Sequence, residues 1–142
     1  MEKKNDLKII IIIILALLAV IGIQKLVYNS SASKNRMLKT IEKSNKLCPF
    51  AFDDETILDS ISLKSDHTEI IFNLKLINQI KDSIDVKDFE ELMTPILVKN
   101  AKTDSNLRIY RVNKMVISYT YSDKNQELIT KISVDTNNSK IQ

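Results

Sequence analysis

The longest apolar run in the chain lies near its N-terminus, where residues 9–23 read IIIIIILALLAVIGI without one polar side chain. Extended to residues 9–28, the run has about the 20 residues that a helix needs to cross the hydrocarbon core of a bilayer. A helix satisfies its own backbone groups in lipid. The pattern therefore predicts a transmembrane helix over residues 9–28, between a short charged tail (1–8) and a polar linker (29–33).

A cleaved signal peptide is the alternative interpretation of this run. A charged start precedes the apolar stretch, and Ser30-Ser31-Ala32 offers a pattern of small residues for cleavage. Gln24 and Lys25 interrupt the approach to that site. The sequence therefore favours an uncleaved, single-pass anchor in contact with the lipid bilayer.

The side of the membrane on which the rest of the chain lies is less well defined. Three basic residues precede the run, and four follow it within a comparable distance, so the positive-inside rule gives no decision. A tail of eight residues has no evident task outside the cell, whereas a domain that follows a span can be exported. We expect a cytoplasmic tail, a bacterial inner-membrane anchor and a periplasmic domain.

The rest of the chain alternates between helical and strand periodicity over residues 34–135, and residues 136–142 form a polar, flexible tail. Helical spacing predicts two helices, from residue 34 to about 47 and from 86 to about 100. Period-two alternation predicts four strands, at residues 57–63, 69–77, 114–122 and 126–134.

The order of these elements is helix, hairpin, helix, hairpin. The short turns within each hairpin imply antiparallel strands, so the sequence predicts an α+β domain with a four-stranded antiparallel sheet. An α-β-β-α-β-β order of this kind has the general look of cystatin-like and NTF2-like folds. Asp85 is the expected N-cap of the second helix.

The first predicted strand contains a conflict between its two faces. Ile57, Ile61 and Leu63 share a face with Asp59 if the alternation is strict. Either a β-bulge resets the face, or the carboxylate of Asp59 points at apolar surface.

Composition narrows the function classes. From residue 29 onward, the chain contains 17 Lys and Arg and 16 Asp and Glu, which gives a net charge of +1. No basic stripe is therefore present for nucleic acid. The one glycine, Gly22, lies inside the apolar run, which excludes glycine-rich phosphate loops. One cysteine excludes an intramolecular disulfide and a cysteine metal cluster. We expect no cofactor, no metal and no nucleic-acid partner.

Few residues offer catalytic chemistry, and we expect that the protein is not an enzyme. The single histidine, His67, falls in a predicted hairpin turn. The best acid–base pair that the sequence offers is Asp59 with Tyr119 or Tyr121. The acidic cluster at residues 53–59 lacks the tight glycine turn of a calcium loop.

Other polar and reactive residues have structural interpretations. Cys48, next to a proline on an apolar face, is expected to be a buried small hydrophobe. Asp53 is expected to accept backbone N–H groups at the corner between the first helix and the first strand. Tyr119 and Tyr121 share one strand face, so they either pack in the core with hydroxyls at the rim or line a ligand cleft between the sheet and the second helix.

Two short motifs carry a resemblance. The first comprises Asn45, Cys48, Pro49, Asp53, Thr56, Leu58 and Asp59, and the second is Tyr119-Thr120-Tyr121-Ser122-Asp123. Together they resemble a family of small bacterial membrane-anchored or envelope proteins of unknown function with the pattern N-x-x-[L/C]-P-x-x-x-D-x-x-T-x-L-D. Ile57 stands where that family usually has arginine, and the late cysteine pair of many relatives is absent.

The resemblance implies placement in the membrane or envelope and carries no activity. It makes nine residues candidates for a structural or binding motif: Asn45, Cys48, Pro49, Asp53, Thr56, Leu58, Asp59, Tyr119 and Tyr121.

The sequence thus leads to two hypotheses of function. The first is a membrane-anchored protein whose extracytoplasmic domain is a protein-binding or assembly module with an unidentified protein partner. The alternative is a small inhibitor or immunity-type protein that blocks a toxin or hydrolase in the envelope.

Overall fold

The computed structural model describes residues 32–137. The predicted tail, transmembrane helix and most of the linker lie outside the described residues, as do residues 138–142. Within residues 32–137, no helix is long and apolar enough to cross a membrane. The chain divides into two compact units, Met1–Arg36 and Met37–Gln142, and the fold described below is that of the second.

The described part contains three α-helices and five strands. The first helix, α1, covers residues 32–45. The others, in chain order, are β1 (Phe50–Ala51), β2 (Thr56–Leu63), β3 (Glu69–Leu76), α2 (Val86–Thr103), α3 (Arg108–Val112), β4 (Val116–Ser122) and β5 (Leu128–Asp135), with short 3₁₀ turns at Lys81–Ser83 and Ser105–Leu107.

The five strands form one mixed sheet in the order β1-β2-β3-β4-β5. Both hairpins, β2–β3 and β4–β5, are antiparallel, but β3 and β4 pair in parallel. The predicted four-stranded antiparallel sheet is therefore wrong, and no described helix supports the transmembrane helix of the predicted fold class. The predicted combination of α-helices with one sheet fits the described elements. The physical reason is α2: a crossover helix returns the chain to the end of the sheet where β3 began, so the next strand runs the same way.

Helix α2 begins where the sequence predicts. Asp85 is the N-cap, and its side chain accepts hydrogen bonds from the backbone N–H groups of Lys87 and Asp88, which satisfies two donors that have no partner inside the helix. The helix extends to Thr103, three residues past the predicted end, and Pro95 lies inside it.

A β-bulge settles the conflict in β2. The pairing with β3 shifts between Leu58 and Ser60, so Leu58 and Ile61 both face the helices although they are three positions apart. Asp59 is the extra residue and is exposed. A second shift, between Tyr121 and Ser122 of β4, buries Ile129 and leaves Leu128 exposed, whereas the sequence placed Leu128 on the apolar face.

The core lies between the helices and one face of the sheet. Its buried side chains come from all three helices and from β2 to β5 and include Met37, Ile41, Ile61, Ile70, Leu74, Leu76, Leu97, Ala101, Tyr110, Met115, Ile117, Tyr119, Tyr121, Ile129, Ile132 and Val134.

The opposite face of the sheet carries a polar network. Glu69 accepts a hydrogen bond from Ser118 Oγ at 2.6 Å and pairs with Lys131 Nζ at 2.6 Å, and Ser118 and Ser133 share a further bond at 2.8 Å. Burial raises the pKa of Glu69, but the bonds from Lys131 and Ser118 outweigh it and leave that pKa below its usual range. This face is therefore polar, and the apolar chemistry of the domain lies on the helical side.

Asn45, at the end of α1, holds that helix to the sheet. Its Oδ1 accepts the N–H of Ile61 at 2.7 Å, and its Nδ2 donates to the carbonyl of Ile61 at 2.8 Å. One amide side chain thus makes the pair of bonds that a neighbouring strand would make with β2.

Asp123 joins the β4–β5 turn to the segment that leaves β3. Its buried carboxylate accepts the backbone N–H groups of Lys81, Asn125 and Glu127 at 2.8–3.0 Å. The hydrogen bond from Lys81, followed by those from Glu127 and Asn125, lowers the pKa of Asp123.

We expect Asn45→Ala to lower the free energy of unfolding by about 1–2 kcal/mol, because two hydrogen bonds to the edge of β2 are lost. Urea denaturation of the full chain, followed by far-ultraviolet circular dichroism, measures this. Asn78→Ala, at an exposed position after β3, is the matched control and should have little effect. Equal losses for the two variants would contradict the role of Asn45.

We expect Asp123→Asn to destabilise the domain at neutral pH and to flatten its acid dependence. The folded pKa of Asp123 lies below the unfolded one, so its stabilisation is present above the unfolded pKa and is lost as the pH falls through the folded value, below about pH 4. Urea midpoints at a series of pH values measure both effects. If the urea midpoint of Asp123→Asn decreased with falling pH as steeply as that of the unchanged protein, the proposed contribution of Asp123 to acid sensitivity would be contradicted.

Candidate functional site

An open apolar cleft of about 650 Å³ lies between α2 and the helical face of the sheet. Its apolar lining comes from β2 (Leu58), β3 (Phe72, Leu74, Leu76), β4 (Tyr119, Tyr121), α2 (Phe89, Met93, Ile96, Leu97) and the connecting segments (Phe52, Ile84, Leu107).

The position of α2 explains why the cleft exists. The helix packs against β5, with Leu97 and Ala101 buried and Glu90 accepting a hydrogen bond from Thr130 of β5. It therefore lies towards one side of the sheet. Leu58 of β2, further across the sheet, is half-buried and forms the opposite wall.

Aromatic contacts fix the floor of the cleft. Phe72 and Tyr119 are paired across β3 and β4, and their rings stack with centroids 5.6 Å apart. Phe89 of α2 meets Tyr121 edge to face at 5.0 Å. Both arrangements are favourable geometries for aromatic pairs, and together they join β3, β4 and α2 across the floor.

The hydroxyl of Tyr119 has no hydrogen-bond partner. Among the described residues, Tyr119 Oη is the buried side-chain polar atom left unpaired, on a residue that is 8% exposed and lines the cleft. Burial, and secondarily Tyr121 and Asp104, raise its pKa well above its usual range. The group is therefore a neutral phenol, able to donate one hydrogen bond and to accept others.

Tyr121 lines the same cleft. Burial, with a smaller contribution from Asp53, raises the pKa of Tyr121 to about 12. Both phenols thus stay protonated at neutral pH.

The rim of the cleft is acidic. Asp53, Glu55 and Asp104 line it, and the lining residues include no lysine, arginine or histidine. The carboxylates lie in the segments between secondary-structure elements: Asp53 and Glu55 between β1 and β2, and Asp104 after α2.

Local turns position two of these carboxylates. Asp53 Oδ1 accepts the backbone N–H groups of Glu55 at 2.8 Å and Thr56 at 2.7 Å, the backbone-binding role that the sequence indicated. The hydrogen bond from Glu55, and those from Thr56, lower the pKa of Asp53 against a smaller effect of desolvation. Asp104 accepts the N–H of Asn106 at 2.8 Å.

Five of the nine predicted motif residues meet at this cleft: Asp53, Thr56, Leu58, Tyr119 and Tyr121. The other four, Asn45, Cys48, Pro49 and Asp59, are not among its lining residues. The sequence left two interpretations open for the tyrosines. Both residues are buried in the core and both line the cleft beside α2, but the hydroxyl of Tyr119 is buried rather than at the rim.

The motif residues outside the cleft belong to the connection from α1 to β2. Asn45 holds α1 to β2, as described above. Cys48 is half-buried, not fully buried as the sequence predicted. Its Sγ donates a 3.4 Å hydrogen bond to the carbonyl of Ser44, and partial burial, then the charge of Asp59, raises the pKa of its thiol. The peptide bond before Pro49 is cis.

The acid–base pair considered from the sequence does not form a site. Asp59 is exposed on the bulge and does not line the cleft that contains Tyr119 and Tyr121. His67 lies in the turn between β2 and β3, as predicted. Within residues 32–137, no group of three or more His, Cys, Asp or Glu side chains has the geometry to hold a metal ion.

Sequence reasoning missed the polar rim contributed by the segment after α2. It placed no regular helix or strand between about residue 100 and residue 114, whereas Asp104 caps a 3₁₀ turn at Ser105–Leu107. Asp104, Asn106 and Leu107 line the cleft. The available signal was the capping pattern of Asp104 followed by Ser105 and Asn106. It could have located the turn but not its position beside Tyr119.

Comparisons with known proteins give a family and a fold. Residues 31–130 match a family described as a domain of unknown function (DUF8479). No curated protein matches the sequence.

Two solved structures share the fold. One is a predicted secreted protein of Pseudomonas aeruginosa, with a TM-score of 0.61 and 10% identity over 76% of this chain and 93% of the other. The second is the pilotin EpsS of the Vibrio vulnificus type 2 secretion system, with a TM-score of 0.54 and 14% identity over 80% and 93% of the two chains. At these identities the likeness is one of fold.

We expect Tyr119→Phe to raise the free energy of unfolding by about 1 kcal/mol, because the change removes a buried hydroxyl that has no partner. Urea denaturation measures the shift. Tyr110→Phe is the matched control: Tyr110 is equally deep in the core, but its hydroxyl is not among the unpaired buried atoms. An equal gain from both variants, or a loss at Tyr119, would contradict this.

Proposed function

The chain belongs to the family described as a domain of unknown function (DUF8479), and from this premise we propose that its domain is a protein-binding module of the bacterial envelope that takes part in assembly of a larger complex. The observation that carries the proposal is the apolar cleft beside α2. The domain faces the extracytoplasmic side and receives an apolar segment of its partner there.

Exposed apolar side chains at the cleft support a protein partner. Phe52 and Ile96 line the cleft and are 67% and 46% exposed, and Leu92, one helical turn before Ile96, is 66% exposed. Single exposed apolar residues are ordinary, but a group of them beside a concave apolar site is typical of an interaction surface. Interfaces concentrate binding energy where an apolar anchor fills such a pocket.

The fold likeness supports the envelope as the location. Of the two related structures, one is described as secreted and the other as a pilotin of a secretion system. Both are bacterial, and each is covered almost completely by this chain. Fold alone does not transfer a function, so the assembly role rests on the cleft, and the location is the part that the likeness supports.

We propose binding rather than catalysis because the pKa values of the two tyrosine hydroxyls at the cleft are unsuited to acid–base catalysis. Tyr119 and Tyr121 are phenols whose pKa values burial raises. General acid–base catalysis is most effective when the pKa lies near the working pH. The same groups are well suited to hydrogen bonding, which a binding site requires.

The alternative hypothesis, an inhibitor or immunity-type protein, differs in the identity of the partner. An assembly module is expected to bind a component of an envelope complex, and an inhibitor a single toxin or hydrolase. No contact within residues 32–137 favours the second.

Site-specific photocrosslinking in the native host tests the proposal. A benzoylphenylalanine at Ile96 should form a covalent adduct with one envelope protein on irradiation. Lys87 is the matched control: it lies on the same helix, about 180° round its axis, and its side chain is 84% exposed. A probe at Lys87 should give no such adduct.

Each other outcome has a defined meaning. The same adduct from both positions, or none from Ile96, would refute binding through the cleft. An Ile96 adduct that contains a toxin or hydrolase would replace the assembly role with the inhibitor role.

A further inference from the structure

We propose that the partner segment that enters the cleft presents a large apolar side chain with a lysine or arginine close beside it, and that its backbone hydrogen-bonds to the hydroxyl of Tyr119. This inference rests on the proposed function and specifies the chemistry of the segment that the cleft recognises.

The charge of the rim selects a cation. Three carboxylates, on Asp53, Glu55 and Asp104, border an apolar floor, and no basic side chain is among the residues that line the cleft. Arg111 lies behind the rim, where it donates to the backbone carbonyl of Asp104 at 2.7 Å. The low pKa of Asp53 keeps that carboxylate ionised at neutral pH. A basic residue on the partner would meet opposite charge at the rim, whereas an acidic residue would be repelled.

The hydroxyl of Tyr119 requires a polar group on the occupant. A buried unpaired polar atom is costly. This oxygen is itself buried, on a side chain that lines the cleft, so the occupant must displace the side chains that cover it in order to reach it. A peptide backbone has a carbonyl to accept the O–H and an N–H to donate to its oxygen. The hydrocarbon chain of a lipid has neither, so it would leave the hydroxyl unpaired.

The shape of the site also favours a protein segment over a lipid. A volume of about 650 Å³ is within the range of small-molecule sites, but such sites enclose most of the ligand surface. Here Phe52 and Ile96 remain 67% and 46% exposed at the mouth. A lipid with an anionic headgroup would place its charge against the three rim carboxylates.

A random peptide display selection on the immobilised full chain tests the chemistry directly. It is run on the unchanged protein and on two variants in which three carboxylates are neutralised. The rim variant is Asp53→Asn, Glu55→Gln, Asp104→Asn. The control variant, with the same change in net charge away from the cleft, is Asp66→Asn, Asp82→Asn, Glu91→Gln. Circular dichroism establishes that both variants are folded.

We expect the unchanged protein and the control variant to enrich peptides with large apolar residues next to lysine or arginine. A synthetic copy of the most enriched peptide should bind the rim variant about tenfold more weakly, with a shallower dependence on salt, because attraction between charges near a surface is screened by ions. Its affinity for Tyr119→Phe should fall several-fold, although that variant is the more stable protein.

The failure of this inference and the failure of the proposed function give different results. The variant Ile96→Gln, at the exposed mouth, reports on the cleft itself. Suppose that the selected peptides lose affinity for Ile96→Gln, which shows that they bind in the cleft. If they carry no basic residues, or if they bind the rim variant as tightly as the unchanged protein, the inference is overturned and cleft binding remains intact. No enriched peptide, or peptides indifferent to Ile96→Gln, would overturn both. Complete displacement of the selected peptide by laurate, with no effect of the rim variant, would make a lipid the occupant and also overturn the inference.

Discussion

The parallel pairing of β3 with β4 is the interaction on which the rest of the domain depends. Seven residue pairs, from Glu69 with Val116 to Lys75 with Ser122, join two hairpins that would otherwise have no shared core. A two-stranded hairpin is marginal in water, whereas a sheet of five strands against helices buries a continuous apolar face. The pairing is non-local, so it forms only when α2 brings the chain back across the sheet.

The same pairing creates the cleft. It sets Phe72 beside Tyr119 and Leu74 beside Tyr121, so the apolar side chains of both hairpins become one floor. Asp123 secures the end of the sheet at which β3 and β4 both finish, because its carboxylate binds the N–H of Lys81 in the segment that leaves β3. The floor and one wall of the cleft are therefore consequences of one strand register and one crossover. Among the described residues, the hydroxyl of Tyr119 is the buried side-chain polar atom without a hydrogen-bond partner, and apolar side chains are exposed beside it. Local exceptions of this kind to the usual rules of packing and hydrogen bonding are expected at functional sites.

The parts of this fold that can be predicted from sequence are the local ones. Period-two alternation located all four strands of the hairpins within two residues, and Asp85 marked the start of α2. The parity conflict at Asp59 pointed to the bulge as one of two solutions. Periodicity reports which side of a strand is apolar, but it contains no information about which strand lies next to it. The direction of β4 relative to β3 could therefore not be predicted from the sequence. Strand β1 was missed because two residues are too few to show a periodic pattern.

For the candidate site, too, the sequence predicted the local features but not which residues the fold brings together. Tyr119 and Tyr121 were identified from the second motif and from their shared strand face. Asp53 was identified from the first motif, with a backbone-binding role expected at the corner before the first strand. Asp104 lies about 50 positions along the chain from Asp53, and only the folded crossover places the two on one rim. The net charge of the sequence from residue 29 onward is only +1, and this near balance conceals the local excess of negative charge.

The two outer strands of the sheet have a consequence for how the domain can associate. An outer strand with free backbone groups is a template on which another chain can add a strand. On one side, β1 is two residues long, and the amide of Asn45 occupies the N–H and carbonyl of Ile61. On the other, β5 is interrupted by the irregularity at Ile129 and carries the charged Lys131 at its centre. Growth of the sheet into a fibre or a strand-swapped pair is therefore disfavoured at both margins, which leaves the helical side, with its apolar cleft, as the surface on which association is not blocked in this way.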